Sequence, residues 1–278
     1  MQAIFPEAVD SDLLKLIHLS NSFKILDPSR PFKVGDKCRS VAKILAVTNN
    51  DSGKTVTMTG QVLHDGKAII EVCSSFLYRG QFSDYENTFQ IVEEPDYIVE
   101  LNEASAVAIL HSKEWFDWDD DTKPLLPGTK LIFRMQTEIA YKNKTTFSSV
   151  NITSKVYVHD QLKTLIPVAM VDYMNGISVG NPVVAYLQHH SVMQDQPVLS
   201  ENAYTLNNAN VPATFTAPAT NEPYSQTSGD YNPIHINPYF SDFASLPGMI
   251  THGMWSSTAT RKYIETVVVQ GRPRCVIL

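Results

Sequence analysis

The chain has 278 residues, of which 43% are hydrophobic and 18% are charged, and its formal net charge at pH 7 is -7. This length gives room for about two domains of ordinary size with a real core. No apolar run reaches the roughly 18 residues that span a bilayer, and an acidic chain without a Lys/Arg cluster does not suit a phosphate backbone as partner. We therefore predict a soluble globular protein that binds neither membrane nor nucleic acid.

Cysteine usage and the two termini bear on the cellular compartment. Cys38, Cys73 and Cys275 form no CxxC pair, which fits a reducing compartment better than a disulfide framework. The N-terminus lacks a basic segment followed by an apolar one, so no secretory signal is predicted. The last four residues, Cys275-Val-Ile-Leu278, match a prenylation box, but they also fit the opening of a strand. We expect a cytoplasmic protein and interpret this ending as a cut strand.

The first predicted elements are a short helix and a β meander. Leu13, Leu14 and Ile17 recur at helical spacing after Ser11 and Asp12, which predicts a helix. Three stretches rich in Val, Ile and Thr follow, separated by turn residues, and they predict antiparallel strands. These stretches are residues 37–48, 54–63 and 67–78.

A second β region follows a segment of mixed character. Residues 129–141 and 145–158 alternate apolar and polar side chains, which predicts a long hairpin with one buried face. Residues 164–190 fit either strands or a short helix, and the pattern does not choose between them. Residues 191–221, rich in Asn and Pro, are expected to form a linker.

The stretch from Ser228 to Gly271 begins as a polar loop and continues into helices. Pro238 after an Asn predicts a short helical turn, and a longer helix is expected to begin between Thr251 and Gly253 and to end at Gly271. One face of this helix is expected to be buried against a sheet. Its residues are Met254, Thr258, Ile264, Val267 and Val268.

Asp230 and His235 are candidates for acid-base catalysis. An imidazole beside a carboxylate is a common catalytic pair, and Pro233 restricts the loop that joins the two residues. The alternative is that Asp230 and Asn232 are turn-formers and that His235 is a structural histidine. The spacing alone leaves both interpretations open.

Gly253 is a candidate for binding developing negative charge. A glycine at a helix N-terminus lets a ligand approach free backbone N–H groups, although it would equally permit close packing of the helix on a sheet. His252 is expected to point away and to make a structural hydrogen bond. No metal site is predicted, since the pair His189-His190 lacks a third ligand at metal spacing.

Longer motifs resemble a known family. SGDYNPIHINPYF, with the later THG, resembles the MaoC-type hydratase/dehydratases, whose hot-dog fold wraps an antiparallel sheet around a long central helix. FLYRGQFSDYENTFQ at residues 76–90 and SDFASLPGMITHGMWSSTATRKYIE resemble the dehydratase region of the fungal-type fatty acid synthase beta subunit.

The resemblance implies an α+β protein built from hot-dog folds. It implies a degenerate hot-dog-like part at 1–100, an additional β-rich module at 101–190 and a catalytic hot-dog part at 191–278. Family members continue after the central helix into several strands, so the resemblance also implies a fragment that is inactive when isolated.

The implied reaction is dehydration of a (3R)-3-hydroxyacyl thioester to the trans-2-enoyl thioester on acyl carrier protein. Carried over by position, the catalytic residues are Asp230 and His235, Asn232 orients them, and the N–H of Gly253 binds the thioester carbonyl. No metal or cofactor is implied beyond the phosphopantetheine thioester that carries the substrate. The implied partners are acyl carrier protein and other synthase domains or subunits in a large oligomer. Two alternatives stay open, a non-catalytic scaffold module of a megasynthase and a stand-alone (R)-specific enoyl-CoA hydratase.

Overall fold

A computed structural model describes residues 13–27, 32–119, 124–160, 162–175, 181–192 and 216–268. The chain divides into two compact units. Unit 1 combines Met1–Ser83 with Leu206–Leu278, and unit 2 is Asp84–Thr205. The domain boundaries predicted near residues 100 and 190 stay a prediction.

The bounds of the elements are as follows. The strands are β1 (Leu16–Ile25), β2 (Cys38–Asn50), β3 (Gly53–His64), β4 (Lys67–Arg79), β5 (Phe89–Glu93), β6 (Tyr97–Leu101), β7 (Phe116–Trp118), β8 (Thr129–Tyr141), β9 (Phe147–His159), β10 (Leu165–Asn175) and β11 (Ser191–Val192). The helices are α1 (Ala104–His111), α2 (Pro182–His190), α3 (Glu222–Ser228), α4 (Pro233–Ile236), α5 (Pro238–Phe243) and α6 (Gly253–Tyr263), which continues as a π-helical turn over Ile264–Val268.

The sheet of unit 1 is antiparallel, with its strands in the order β1-β4-β3-β2. Strands β2, β3 and β4 confirm the predicted meander. Asp65 and Gly66 form the turn between β3 and β4, and both have positive φ angles, 49° and 77°. Two such residues are typical of the tight hairpin turn that matches the twist of its strands.

The predicted N-terminal helix is wrong. Leu13–Lys15 form only a 3-10 turn, and β1 then pairs along β4, with Leu16 opposite Tyr78 and Ile25 opposite Ile70. Pairing with β4 satisfies the backbone of β1 with long-range hydrogen bonds, and this tertiary gain outweighs a weak local helix preference.

Unit 2 is organised around the hairpin of β8 and β9, which confirms the predicted hairpin. β8 also pairs with β6 along its first half and with β5 along its second half. On the other side of the hairpin, β9 pairs with β10, and β10 pairs with β7. The undecided stretch at 164–190 contains both a strand, β10, and a helix, α2. The predicted α+β class with antiparallel sheets is therefore confirmed.

A hydrophobic cluster forms the core of the described part of unit 2, and the buried face of the hairpin belongs to it. Its members with no exposed surface are Leu110, Leu131, Phe133, Ile152, Val156, Val171, Val183 and Leu187. Alternate residues of β8 and β9 contribute to this cluster, as the period of a strand requires.

Helix α6 begins at Gly253, as predicted, and packs against β1. Its predicted end at Gly271 lies outside the described residues, as does Cys275. The expected buried face is not observed where side chains are described, because Met254 and Ile264 are half-buried and Thr258 is exposed. Across residues 13–268, leaving out the gaps, no helix has both the length and the apolar character of a membrane span.

Candidate active site

The loop that carries Asp230 is set by the end of α3. Gly229 follows the helix with φ 74°, and its N–H donates to the carbonyl of Ser225. A left-handed residue at this position is the usual helix ending and favours glycine. The chain then turns at Asp230, whose Oδ1 accepts a hydrogen bond from the N–H of Asn232 at 3.1 Å.

Asn232 begins the short helix that carries His235. Its Oδ1 accepts from the N–H of Ile234 at 3.4 Å, and Pro233 occupies the first helical position. Asn232 therefore contacts Asp230 through its backbone and supports His235 by capping α4. Its implied role in orienting Asp230 and His235 for catalysis stays a prediction.

His235 is anchored to the segment that leads into α6. Its Nδ1 lies 2.8 Å from the carbonyl oxygen of Ile250. Because a carbonyl can only accept, Nδ1 carries the proton and Nε2 keeps a lone pair in the neutral ring. The residue is 9% exposed.

Asn221 is a buried residue of the site that the sequence did not reveal. Its Nδ2 donates to the carbonyl of His235 at 2.8 Å and to that of Ile250 at 3.1 Å. One amide group thereby ties α4 to the approach to α6. The local signal was the pattern Asn-Glu-Pro, which is typical of a helix N-terminus and was interpreted only as part of a linker.

The surroundings of His235 favour its neutral form. Burial lowers the pKa of His235, the hydrogen bond to Ile250 raises it, charge on His252 lowers it and the carboxylate of Asp230 raises it. The net direction is downward from the ordinary value of 6.5. A neutral imidazole with a free lone pair can accept a proton.

His252 lies beside His235, so the expectation that it points away is wrong. The two rings stack with centroids 3.8 Å apart and planes 27° apart. His252 is 1% exposed and has a Nε2 that lies 3.8 Å from Oδ2 of Asp230. The signals that could have drawn attention to it were its neighbour Gly253 and its place in the motif THG.

Gly253 opens α6, whose first N–H groups have no partner inside the helix. The side chain of His18, on β1, packs against this glycine. A Cβ added at Gly253 would lie 3.2 Å from Cγ of His18 and closer still to Nδ1. The structure thus supports close helix-to-strand packing at Gly253, and this does not prevent its N–H from binding a ligand.

Asp230, His235 and His252 each offer one atom within 4.8 Å of the others, which makes a conceivable cation site. Two of the four imidazole nitrogens already face carbonyl oxygens. The lone pairs of stacked rings also lie in nearly parallel planes, whereas metal ligands must converge on one point. The arrangement therefore suits proton transfer better than metal binding.

Comparison with known families gives three consecutive matches. Residues 1–80 match the MFE-2 hydratase 2 N-terminal domain, residues 89–187 match the insertion domain of fatty acid synthase subunit beta, and residues 191–277 match the MaoC like domain. The chain contains a MaoC-like domain. Asp230, Asn232, His235 and Gly253 all lie within it.

Curated relatives extend this similarity along nearly the whole chain. Fatty acid synthase subunit beta of Saccharomyces cerevisiae is 44% identical over 265 residues, which are 95% of this chain and 13% of the relative. The subunit of Schizosaccharomyces pombe is 43% identical over 281 residues, 99% of this chain and 14% of the relative. The chain is thus homologous to a segment of these much longer subunits.

Solved structures give a fainter similarity. A MaoC-like dehydratase from Phytophthora capsici aligns with this chain at 10% sequence identity and a TM-score of 0.22. The alignment covers 58% of this chain and 73% of the dehydratase chain.

Proposed function

We propose that the MaoC-like domain dehydrates a (3R)-3-hydroxyacyl thioester to the trans-2-enoyl thioester during fatty acid synthesis, and that it runs the reverse hydration as well. The observation that carries this proposal is the position of His235, whose Nδ1 is anchored to Ile250 and whose ring lies beside the carboxyl group of Asp230, close to the N-terminus of α6. Homology to fatty acid synthase beta subunits supplies the substrate class.

His235 is the base in this proposal. Nε2 removes a proton from the carbon next to the thioester carbonyl, while the Nδ1–H bond to Ile250 holds the ring in the required tautomer. A positioned base of this kind contributes on the order of 10² to 10⁴ in rate.

Gly253 stabilises the charge that this step creates. As the proton leaves, negative charge moves onto the thioester oxygen, and a backbone N–H at the positive end of a helix dipole is suited to bind it. The close packing of His18 fixes this end of α6 against β1, so the N–H is already in place before the reaction.

Asp230 completes the elimination. Its side chain is 51% exposed, which leaves it accessible to the hydroxyl group of a substrate. In its acid form it donates a proton as the carbon–oxygen bond breaks, and water leaves. Transfer of the first proton from His235 to the carboxylate then restores both groups.

The proposal needs no metal or resident cofactor, because the phosphopantetheine thioester arrives with the substrate. Its partners are acyl carrier protein and the other domains and subunits of a synthase, and its compartment is the cytoplasm. A non-catalytic scaffold module and a stand-alone enoyl-CoA hydratase are the competing interpretations.

A chimera tests the proposal directly. The matched segment of the Saccharomyces cerevisiae subunit is replaced by this chain, and hydration of a trans-2-enoyl thioester is followed with carrier-bound and CoA-bound substrate. His235→Asn and Asp230→Asn are each expected to lower kcat by about 10² or more. His189→Asn, at an exposed histidine of unit 2, is the matched control and should leave kcat unchanged.

The outcomes separate the interpretations. Equal rates for the chimera and its His235→Asn variant would remove His235 from the reaction. An assembled but inactive chimera would favour the scaffold module. Turnover of the CoA thioester by the isolated chain, without a carrier protein, would favour the stand-alone hydratase.

A further inference from the structure

His252 is the most buried titratable group of the site, and the proposed mechanism does not use it. His252 is the N-cap residue of α6, yet its side chain makes no capping hydrogen bond. Within the described part of the chain, its Nδ1 is buried and has no hydrogen-bond partner. The contacts of its ring must therefore explain why a histidine is buried here.

One face of the ring contacts the proposed base. The centroids of His252 and His235 are 3.8 Å apart, and the planes are nearly parallel. Tyr224, on α3, also contacts the ring of His252, with the centroids 4.9 Å apart. The imidazole of His252 thus joins α3 to the ring of His235.

The edge of the same ring contacts the residue of the proposed acid. Nε2 lies 3.2 Å from the backbone oxygen of Asp230 and 3.4 Å from Oγ of Ser225. Because the oxygen of Asp230 can only accept, Nε2 carries a proton and donates it to that carbonyl. This bond fixes the peptide from which the Asp230 carboxylate extends.

We infer that His252 is a positioning residue that holds the Asp230 peptide with its Nε2–H and the His235 ring with its face, so that acid and base keep one relative geometry. The inference rests on the proposed function of that pair. It assigns a role to a residue that never contacts the reacting atoms. The role needs both a flat ring and an N–H, and histidine supplies both in little space.

The neighbours of His235 predict how its titration responds. The titratable groups that face it are His252 and Asp230, and Tyr224 contacts the ring of His252. Charge on His252 lowers the pKa of His235. Replacing His252 by an uncharged ring removes this effect and keeps the ring buried, so the pKa of His235 should rise.

Two variants separate the two functions of the ring. His252→Phe keeps the stacking face and loses the N–H, whereas His252→Asn keeps an N–H and loses the ring. In the chimeric synthase, each should lower kcat on the order of 10- to 100-fold through misplacement of the pair, with KM changed less than about twofold. His189→Phe, at the exposed histidine, is the control and should change neither constant.

The titration of His235 provides a readout that does not depend on turnover. Histidine-labelled 278-residue chain is titrated by NMR, and the His235 signal is assigned with His235→Asn. His252→Phe should raise the pKa of His235, and the acid limb of kcat/KM for dehydration should move to higher pH with it.

A fall in thermal stability of His252→Phe with an unchanged His235 titration and an unchanged acid limb would overturn the inference, since that is the behaviour of a residue that only supports the fold. If the proposed function itself were wrong, the experiments would give a different set of results. In that case His235→Asn would leave turnover unchanged, while the NMR titration would still report whether His252 positions His235.

Discussion

His235 gives the site its expected pH dependence. Protonation at low pH removes the Nε2 lone pair, so kcat/KM should fall as the medium becomes acidic. Because burial lowers the pKa of this histidine below 6.5, the midpoint of the fall should lie below 6.5. The measurement is kcat/KM for dehydration of a (3R)-3-hydroxyacyl thioester by the chimera, the direction in which His235 accepts the proton, between about pH 5 and pH 8.

One outcome of this pH measurement would contradict the prediction, and another would support it. An acid limb centred above the ordinary histidine value would mean that the essential base is either not His235 or not buried as described. Loss of the limb in His235→Asn, with the residual rate independent of pH, would tie the profile to this residue.

The residues of the site differ in how far sequence alone could reveal them. Asp230, Asn232 and His235 lie within six positions, so local turn chemistry was enough to bring them together as candidates. Asn221 and His252 depend on contacts across longer stretches, such as the 29 positions between Asn221 and Ile250. Such contacts exist only after α3 and the approach to α6 have packed, and no local pattern encodes them.

At the scale of elements, the packing of α6 on β1 depends on Gly253. Gly253→Ala places a methyl group against the imidazole of His18, and His18 cannot easily withdraw because its ring stacks on Phe76 and its Nε2 lies 3.0 Å from the oxygen of Ser20. Overpacking of this kind costs about 1 to 3 kcal/mol. Chemical denaturation of the chain measures the loss.

A double-mutant cycle identifies the cause. In a His18→Ala background, Gly253→Ala should cost much less, since the clashing ring is gone, and the interaction energy should exceed about 0.5 kcal/mol. Ser256→Ala, at an exposed position of the same helix, is the control and should stay within about 0.5 kcal/mol of the parent. An equal cost of Gly253→Ala in both backgrounds would assign the loss to something other than this contact.

Elements with a regular alternation of apolar and polar side chains could be predicted from the sequence. Elements whose conformation depends on pairing with a distant strand could not. The meander β2 to β4 and the hairpin β8–β9 combine alternation with clear turn residues, and both were predicted. β1 resembles a helix locally and becomes a strand because β4 offers it a partner along nine positions of register. α3 and α4 are too short to show a period, so no element was predicted for α3 and α4 was interpreted as part of a loop.

At the scale of the whole chain, contacts between its two ends cannot be deduced from a linear pattern. Unit 1 joins the first 83 residues to the last 73, and the pair His18 and Gly253 is an example of such a contact. A sequence shows where composition changes along the chain, which yields contiguous segments. It does not show which segments meet.

Unit 2, by contrast, is contiguous and has its own hydrophobic cluster. We therefore expect residues 84–205 to fold without the rest of the chain and to unfold cooperatively in denaturant. Leu131 has no exposed surface in this cluster, so Leu131→Ala should destabilise the isolated unit by about 2 to 5 kcal/mol. Leu162→Ala, at a leucine that is 85% exposed, should change its stability by less than about 0.5 kcal/mol. Equal effects of the two substitutions, or a gradual unfolding curve, would show that the cluster forms only when the rest of the chain is present.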